Sequence, residues 1–196
     1  MLARLRQHWI VYLIETWALG TFMISAVLVT AALEYPGSPL HAIIPSAPVR
    51  RGLIGLAMGL TAMVLIYSPW GQRSGAHMNP AVTLTFLRLG KIAPWDAFFY
   101  VTAQFVGGAC GILAAKAALR SIVEHPSVNH VVTVPGPAGP VVAFFAELGL
   151  SCGMMFMVLS VTNRPKLARF TGLFAGALVF LYITLEAPLS GMSMNP

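Results

Sequence analysis

The chain has 196 residues, of which 57% are hydrophobic and 9% are charged. Because about 25% of the residues in a soluble domain are charged, this composition excludes an ordinary soluble protein and predicts an integral membrane protein. The formal net charge of +6 could suit nucleic acid. The basic residues form no run or patch, however, so no nucleic-acid partner is predicted.

Five apolar stretches predict five membrane-spanning helices, and the fold class is therefore all-α. These stretches are residues 9–33, 52–67, 97–119, 141–161 and 170–185. The first is not predicted to be a cleaved signal peptide, because its apolar stretch is too long, it contains Glu15, and no small-residue cleavage site follows it.

The distribution of the twelve lysine and arginine residues predicts the orientation. With a cytoplasmic N-terminus, eight of them lie on the inner side, which is the usual bias. They are Arg4, Arg6, Arg73, Arg88, Lys91, Arg164, Lys166 and Arg169. The four on the outer side are Arg50, Arg51, Lys116 and Arg120. We therefore predict a multi-pass protein of the cell (plasma or inner) membrane.

The two cysteines, Cys110 and Cys152, both fall within predicted spans. We expect them to behave as small buried apolar side chains rather than as a disulfide or metal ligands. No metal site and no cofactor is predicted.

A short apolar run at residues 80–89 lies between the second and third spans. Ten helical residues extend about 15 Å, which is half of the hydrocarbon core of about 30 Å. Asn79 is a favoured N-cap, and Pro80 suits the first helical position. We therefore predict a re-entrant half-helix that enters the membrane without crossing it.

The strongest pattern is an internal repeat: residues 74–80 match residues 190–196 at five of seven positions. Each copy follows two spans, and each half opens with a span that carries one buried acid, Glu15 or Glu147. Three spans precede the second half, so the halves have opposite orientations and form an inverted repeat. We divide the chain into a first repeat (1–119), a connecting outer loop (120–140) and an incomplete second repeat (141–196).

Two half-helices that enter from opposite faces would bring their positive N-terminal ends together at the membrane centre. Such an arrangement repels cations and protons. It leaves the amides of Asn79 and Asn195 free to bond a passing neutral molecule.

The segment Ser-Gly-Ala-His-Met-Asn-Pro-Ala-Val-Thr, residues 74–83, resembles the signature of the aquaporin and glyceroporin (major intrinsic protein) family. Five residues of the third span also resemble the family pattern: Tyr100, Ala103, Gln104, Gly107 and Gly108. The resemblance implies an aquaporin-like inverted repeat of six spans and two half-helices. It also implies a homotetramer in the lipid bilayer, with a pore in each subunit for water and small uncharged solutes. Because the second motif stops at Pro196, the second half-helix and sixth span are missing, and we expect a truncated chain.

The resemblance also implies the site residues. The pore motif is Asn79, Pro80 and Ala81 with Asn195 and Pro196. The carbonyls that line the pore are those of Gly75, Ala76, His77, Gly191, Met192 and Ser193. The selectivity-filter positions are Met58, Ile183 and Met192; Gly59 replaces Met58 if residues 69–73 carry no extra residue. Glu15 and Glu147 would support the loops. An apolar filter resembles the glycerol-permeable branch of the family.

Two alternatives to a complete channel remain: a non-conducting truncated subunit that co-assembles with complete subunits, and a proton-coupled secondary transporter that uses Glu15 and Glu147. An intramembrane serine protease based on Ser74 and His77 is disfavoured. Residues three apart in a loop seldom form such a pair, and no orienting acid is near, so no enzyme is predicted.

Two further hypotheses concern residues outside these motifs. Glu186 is predicted either to line the outer mouth of the pore or to pair with Arg50 or Arg51. Three glycine pairs have the spacing of close helix contacts. They are Gly55/Gly59, Gly149/Gly153 and Gly172/Gly176.

Overall fold

The computed structural model describes residues 1–195 as helices and their connections, with no β-strand in that range. The helices are α1 (Leu2–Glu34), α2 (Pro39–Ile43), α3 (Ala47–Tyr67), α4 (Pro69–Ser74), α5 (Pro80–Arg88), α6 (Pro94–Leu119), α7 (Pro140–Thr162), α8 (Pro165–Ala168), α9 (Thr171–Leu185) and α10 (Ala187–Ser190). Short 3₁₀ turns occupy Arg120–Ile122 and Asn129–Val131. The prediction of an all-α fold is confirmed.

Four of these helices, α1, α3, α6 and α7, are long and apolar enough to cross a membrane, with mean hydropathy from 1.6 to 2.0. The fifth predicted span is α9, which has 15 residues and extends about 22 Å. A multi-pass membrane protein is therefore confirmed, while the count of five spans stays a prediction. The predicted half-helix is α5, with nine residues.

Proline determines where most of these helices begin. Eight of the ten carry proline in their first turn: α2, α3, α4, α5, α6, α7, α8 and α10. At the first helical position the missing N–H of proline costs no hydrogen bond, and its fixed φ is already helical. A helical chain can therefore contain 14 prolines without broken spans.

Helices α1 and α6 pack closely because glycine leaves room for the backbone of the neighbouring helix. A Cβ atom added at Gly107 would lie 2.2 Å from the carbonyl oxygen of Thr16, and one added at Gly111 would lie 2.4 Å from that of Gly20. Real Cβ atoms do not approach backbone so closely, so glycine is required at this contact.

Helices α3 and α9 pack through the same device. A Cβ atom at Gly59 would lie 2.5 Å from the carbonyl oxygen of Gly176, and the reverse distance is also 2.5 Å. Gly55 lies equally close to α9, with 2.7 Å to the carbonyl oxygen of Phe180, and Gly172 faces α3. The predicted pairs Gly55/Gly59 and Gly172/Gly176 are confirmed as packing glycines.

The third glycine pair is only half correct. Gly153 faces the hydroxyl of Tyr182, where a Cβ atom would lie at 2.6 Å. Gly149 has no described neighbour within 4 Å of a Cβ atom, so its predicted helix contact is wrong. Spacing along one helix does not determine which of its glycines meets a neighbouring helix.

Cys110 and Cys152 are exposed rather than buried, so the expectation of buried cysteines is wrong. The physical reason is that a membrane span is surrounded by lipid rather than by water. Lipid tails accept an apolar side chain as readily as a protein interior does, so an apolar residue in a span need not face another helix.

A buried ion pair fixes the connection between α1 and α3. Arg50 is 7% exposed and donates from Nη2 to Glu34 at 3.1 Å. Its Nη1 donates to the carbonyl oxygens of Ile44 and Pro45 at 2.9 and 3.0 Å. These bonds satisfy a guanidinium that would otherwise be costly to bury.

The predicted pairing of Glu186 with Arg50 or Arg51 is wrong. Arg50 pairs with Glu34, and Arg51 donates from Nε to the carbonyl oxygen of Thr184 at 3.0 Å. Within residues 1–195, Glu186 forms no ion pair.

The contact between α3 and α9 yields a stability prediction. We expect Gly59→Ala to lower the free energy of unfolding by about 1–3 kcal/mol, because the added methyl group meets rigid backbone on α9. Gly149→Ala is the matched control. It has no described neighbour within 4 Å, and alanine favours a helix over glycine, so we expect no loss. Thermal unfolding of the detergent-solubilised variants, followed by circular dichroism, measures both. Equal losses in the two variants would contradict the packing argument.

Candidate functional site

The repeated sequence folds into the same loop twice. Helices α4 and α10 end at Ser74 and Ser190, and the next residues, Gly75 and Gly191, have φ of 87° and 86°. The following residues also correspond, with positive φ in both loops: Ala76 (45°) and Met192 (56°), Met78 (47°) and Met194 (51°). Positive φ in residues other than glycine is costly and persists only where the surroundings impose it.

Glu15 provides that support beneath the first loop. Its side chain is fully buried, and Oε1 accepts hydrogen bonds from Ser74 Oγ at 2.8 Å and from the amide of His77 at 3.1 Å. Its Oε2 accepts from the amide of Met78 and from Gln104 Nε2, both at 2.8 Å. Four donors offset the cost of burying this carboxyl group and hold two consecutive amides in place.

Glu147 supports the second loop in the same way. Its Oε1 accepts from Ser190 Oγ at 2.5 Å and from the amide of Ser193 at 2.7 Å. Its Oε2 accepts from the amide of Met194 at 2.7 Å. The structure therefore brings each of the two predicted acids to the loop of its own half.

Two further supports of the first loop were not identified from sequence. Tyr100 donates from its hydroxyl to the carbonyl oxygen of Ser74 at 2.7 Å. Thr83 is fully buried; its Oγ1 lies 3.0 Å from His77 Nδ1 and accepts from Gln104 Nε2 at 3.1 Å. Both residues stood in segments that resemble the family pattern. Polar side chains in an apolar segment need a hydrogen-bond partner, so the polarity of Tyr100 and Thr83 could have identified them as supports of the loop.

The two asparagines bind each other's loops reciprocally. Asn79 Nδ2 donates to the carbonyl oxygen of Met194 at 2.6 Å, and Asn195 Nδ2 donates to that of Met78 at 2.9 Å. Asn79 Oδ1 accepts from the amide of Ala81 at 2.7 Å and so caps α5. Because an amide NH₂ group has two hydrogens, each asparagine retains one N–H for another acceptor.

Backbone carbonyls remain free in both loops. Within residues 1–195, no protein donor bonds the carbonyl oxygens of the six residues predicted to line the pore. They are Gly75, Ala76, His77, Gly191, Met192 and Ser193. Backbone carbonyls require hydrogen-bond partners, so these oxygens are available to water or to a solute.

The residues predicted as a filter lie together. Met58 and Met192 are 2% and 8% exposed and belong to one cluster, against which Ile183 packs. Gly59 instead faces Gly176 at the contact between α3 and α9. Of the two residues considered on α3, Met58 is therefore the one beside Ile183 and Met192.

Glu186 and Pro196 are the two other residues predicted near the pore. Glu186 follows α9, and both of its carboxylate oxygens are buried without a hydrogen-bond partner in the described residues. Its predicted position at the outer mouth stays a prediction. Pro196, predicted to belong to the pore motif, lies outside the described residues.

The hydrogen bonds of Glu15 yield a prediction. In Glu15→Gln the new NH₂ group faces the amide of Met78, which loses its acceptor. Gln104 Nε2, which donates to the same oxygen, loses its acceptor too, and rotation of its amide would place the NH₂ group where Oε1 is now buried without a partner. Orphaned buried donors cost about 1–3 kcal/mol each, so we expect the free energy of unfolding to fall by at least that amount.

Glu124→Gln is the control for this substitution. Glu124 pairs with Lys116 at 2.6 Å with its side chain 51% exposed. Exposed pairs contribute little, so we expect no measurable change. Thermal unfolding in detergent compares the two variants, and wild-type stability in Glu15→Gln would refute the assigned role of the carboxylate.

Comparison with known proteins agrees with this geometry. The model of the family described as "Major intrinsic protein" matches residues 6–196. Aquaporin NIP1-3 of Oryza sativa subsp. japonica is 37% identical over 145 residues, which is 73% of this chain and 48% of the relative. Aquaporin NIP6-1 of Arabidopsis thaliana is 38% identical over 171 residues, 85% of this chain and 53% of the relative.

Among solved structures, the aquaglyceroporin from Plasmodium falciparum has the same fold, with a TM-score of 0.79 and 19% identity. The match covers 96% of this chain and 77% of that one. The chain spans about half the length of the curated relatives it matches. With the family match over nearly all of its residues and the paired loops of its two halves, the chain belongs to the major intrinsic protein family.

Proposed function

We propose that the protein to which this chain belongs is a transmembrane channel for the passive passage of water and small uncharged solutes such as glycerol. The single observation that carries the proposal is the meeting of the two loops. Each of two asparagine amides donates to the other's loop, and each loop carries free backbone carbonyls.

This arrangement matches the hydrogen-bonding needs of a neutral hydroxyl group. The spare N–H of Asn79 or Asn195 donates to the oxygen of the permeant molecule, and the free carbonyls accept its hydrogens. A water or alcohol therefore exchanges its hydrogen bonds in the liquid for equivalent bonds along the path. Glu15 and Glu147 are occupied beneath the loops, so a bare cation would gain no free carboxylate from either of them.

The N-terminal end of α5 adds an electrostatic barrier in this proposal. The helix begins at Pro80, beside Asn79, and a helix N-terminus carries a partial charge of about +0.5. A proton or cation that reaches the asparagines meets this positive end, whereas a neutral molecule does not. Such a helix end is a recognised means of excluding protons and cations.

The hydrogen bonds of the acids favour a channel over a proton-coupled transporter. Glu15 accepts four hydrogen bonds and Glu147 accepts three. A protonated carboxyl group carries a donor in place of an acceptor site and would lose part of this support. Proton relay through either acid would therefore disturb the loops on which the proposed path depends.

We further propose a homotetramer in the cell membrane with a cytoplasmic N-terminus. The orientation rests on the eight-to-four distribution of basic residues. For assembly, the supporting feature is α7, whose apolar stretch is only 6% buried within the subunit. Phe144, Phe145 and Phe156 are each more than 60% exposed, so the described residues leave this face uncovered.

A permeability assay tests the channel proposal. We expect proteoliposomes that contain the full-length protein to shrink faster than empty liposomes in stopped-flow light scattering, and to take up glycerol faster. We expect no single-channel cation current in planar bilayers. Folded protein without water or glycerol flux would instead favour the non-conducting subunit, and a cation current would refute the proposal.

The cluster of Met58, Ile183 and Met192 predicts a change in selectivity. We expect Ile183→Ala to widen the constriction and raise the ratio of glycerol to water permeability several-fold. Ile43→Ala, at a residue that is 73% exposed on α2, removes the same atoms away from the cluster and should leave the ratio unchanged. Both are measured in the same proteoliposomes after size-exclusion chromatography shows folded protein. The same ratio in both variants would contradict a filter at this position.

A further inference from the structure

An apolar groove with one charged residue lies between α1 and α4, beside the start of the first loop. It encloses about 350 Å³ and is lined by Ile10, Leu13, Ile14, Trp17, Trp70 and Arg73. Leu13 and Trp70 are each 56% exposed, so the groove opens on the outer surface of these helices, which we expect to face the bilayer.

The wall of the groove contains a fixed aromatic pair. The rings of Trp17 and Trp70 are 4.8 Å apart at 84°, an edge-to-face contact that joins α1 to α4. Together with Ile10, Leu13 and Ile14, this pair gives the groove an apolar wall. The groove therefore has the composition of a site for a lipid chain.

The length of α1 predicts that the backbone of Arg73 lies below the headgroup level of the membrane. The adjacent Ser74 bonds Glu15, which is 13 residues beyond the start of α1 at Leu2, or about 20 Å along its axis. Helix α1 is about 50 Å long against a core of about 30 Å, so each end extends about 10 Å beyond the core when the helix is centred. The backbone of Arg73 then lies about 10 Å inside the core edge, where a guanidinium is costly unless it reaches an anion.

The described chain provides no anion for Arg73. No carboxylate of residues 1–195 lies within ion-pair distance of it. All six acidic residues of the sequence are buried or engaged elsewhere. Glu15 and Glu147 hold the loops, Glu34 pairs with Arg50, Asp96 with Arg4 and His8, Glu124 with Lys116, and Glu186 is buried after α9. The described residues of a second copy therefore offer no free carboxylate at this depth.

We propose that this groove binds an anionic phospholipid. One acyl chain packs against Ile10, Leu13 and Trp17, and the phosphate accepts hydrogen bonds from Arg73. Guanidinium groups bind phosphate through two parallel bonds, and basic pockets between membrane helices attract anionic headgroups. A zwitterionic lipid carries the same phosphate, but its ammonium group offsets the attraction.

Tryptophan quenching by brominated lipid tests the site. The chain has four tryptophans, and Trp9→Phe with Trp95→Phe leaves only the two that line the groove. In phosphatidylcholine vesicles, we expect brominated phosphatidylglycerol to reach half-maximal quenching at a mole fraction about fivefold lower than brominated phosphatidylcholine. In Arg73→Gln the two lipids should become equivalent. Arg6→Gln, a control at an exposed arginine at the start of α1, should keep the difference.

Each other outcome overturns the proposal. Equal quenching by the two lipids would show ordinary contact with surrounding lipid. A loss of preference in Arg6→Gln as large as in Arg73→Gln would show attraction by net charge alone. If millimolar inorganic phosphate abolishes the preference, Arg73 holds a free anion and not a lipid. If neither lipid quenches the pair, a protein surface covers the groove.

Discussion

The carboxylates beneath the two loops, Glu15 fully buried and Glu147 partly buried, make the interaction on which the proposed path depends. Glu15 and Glu147 each draw two consecutive backbone amides of a loop toward the protein interior. Since a peptide's carbonyl points away from its amide, the carbonyls of the same segments turn to the other side and stay free. The two acids therefore determine, in two segments of irregular backbone, that the amides face the acids and the carbonyls face away from them.

This support depends in turn on how closely two helices approach. Gln104 reaches Glu15 at 2.8 Å only because α6 lies against α1, and one turn further along α6 Gly107 meets the backbone of Thr16. Any side chain at Gly107 would separate the helices and lengthen that hydrogen bond. The shape of the first loop therefore depends on the hydrogen bonds of Glu15, and these depend on the close packing of α1 against α6.

The sequence was sufficient to predict the features that show as a repeat or as a polar residue in an apolar segment. The repeat located both loops, and Glu15 and Glu147 stood out as acids inside apolar spans. Sequence reasoning failed where the rotation of a helix about its axis decides the outcome, as with Cys110, Cys152 and Gly149. In a bilayer both faces of a span are apolar, so hydropathy carries no signal for the face that meets protein.

The two positions at which the repeats differ show what the loop requires. At the matching positions, the side chain or the backbone angle is itself used: Ser74 and Ser190 bond the acids, Gly75 and Gly191 take φ near 86°, and Asn79 and Asn195 cross-bond. At the differing positions, Ala76/Met192 and His77/Ser193, the two loops share only the backbone amide bonds. The side chains there are free to diverge. Of these four residues only Met192 belongs to the cluster with Met58, so the two loops differ in the apolar packing of their side chains.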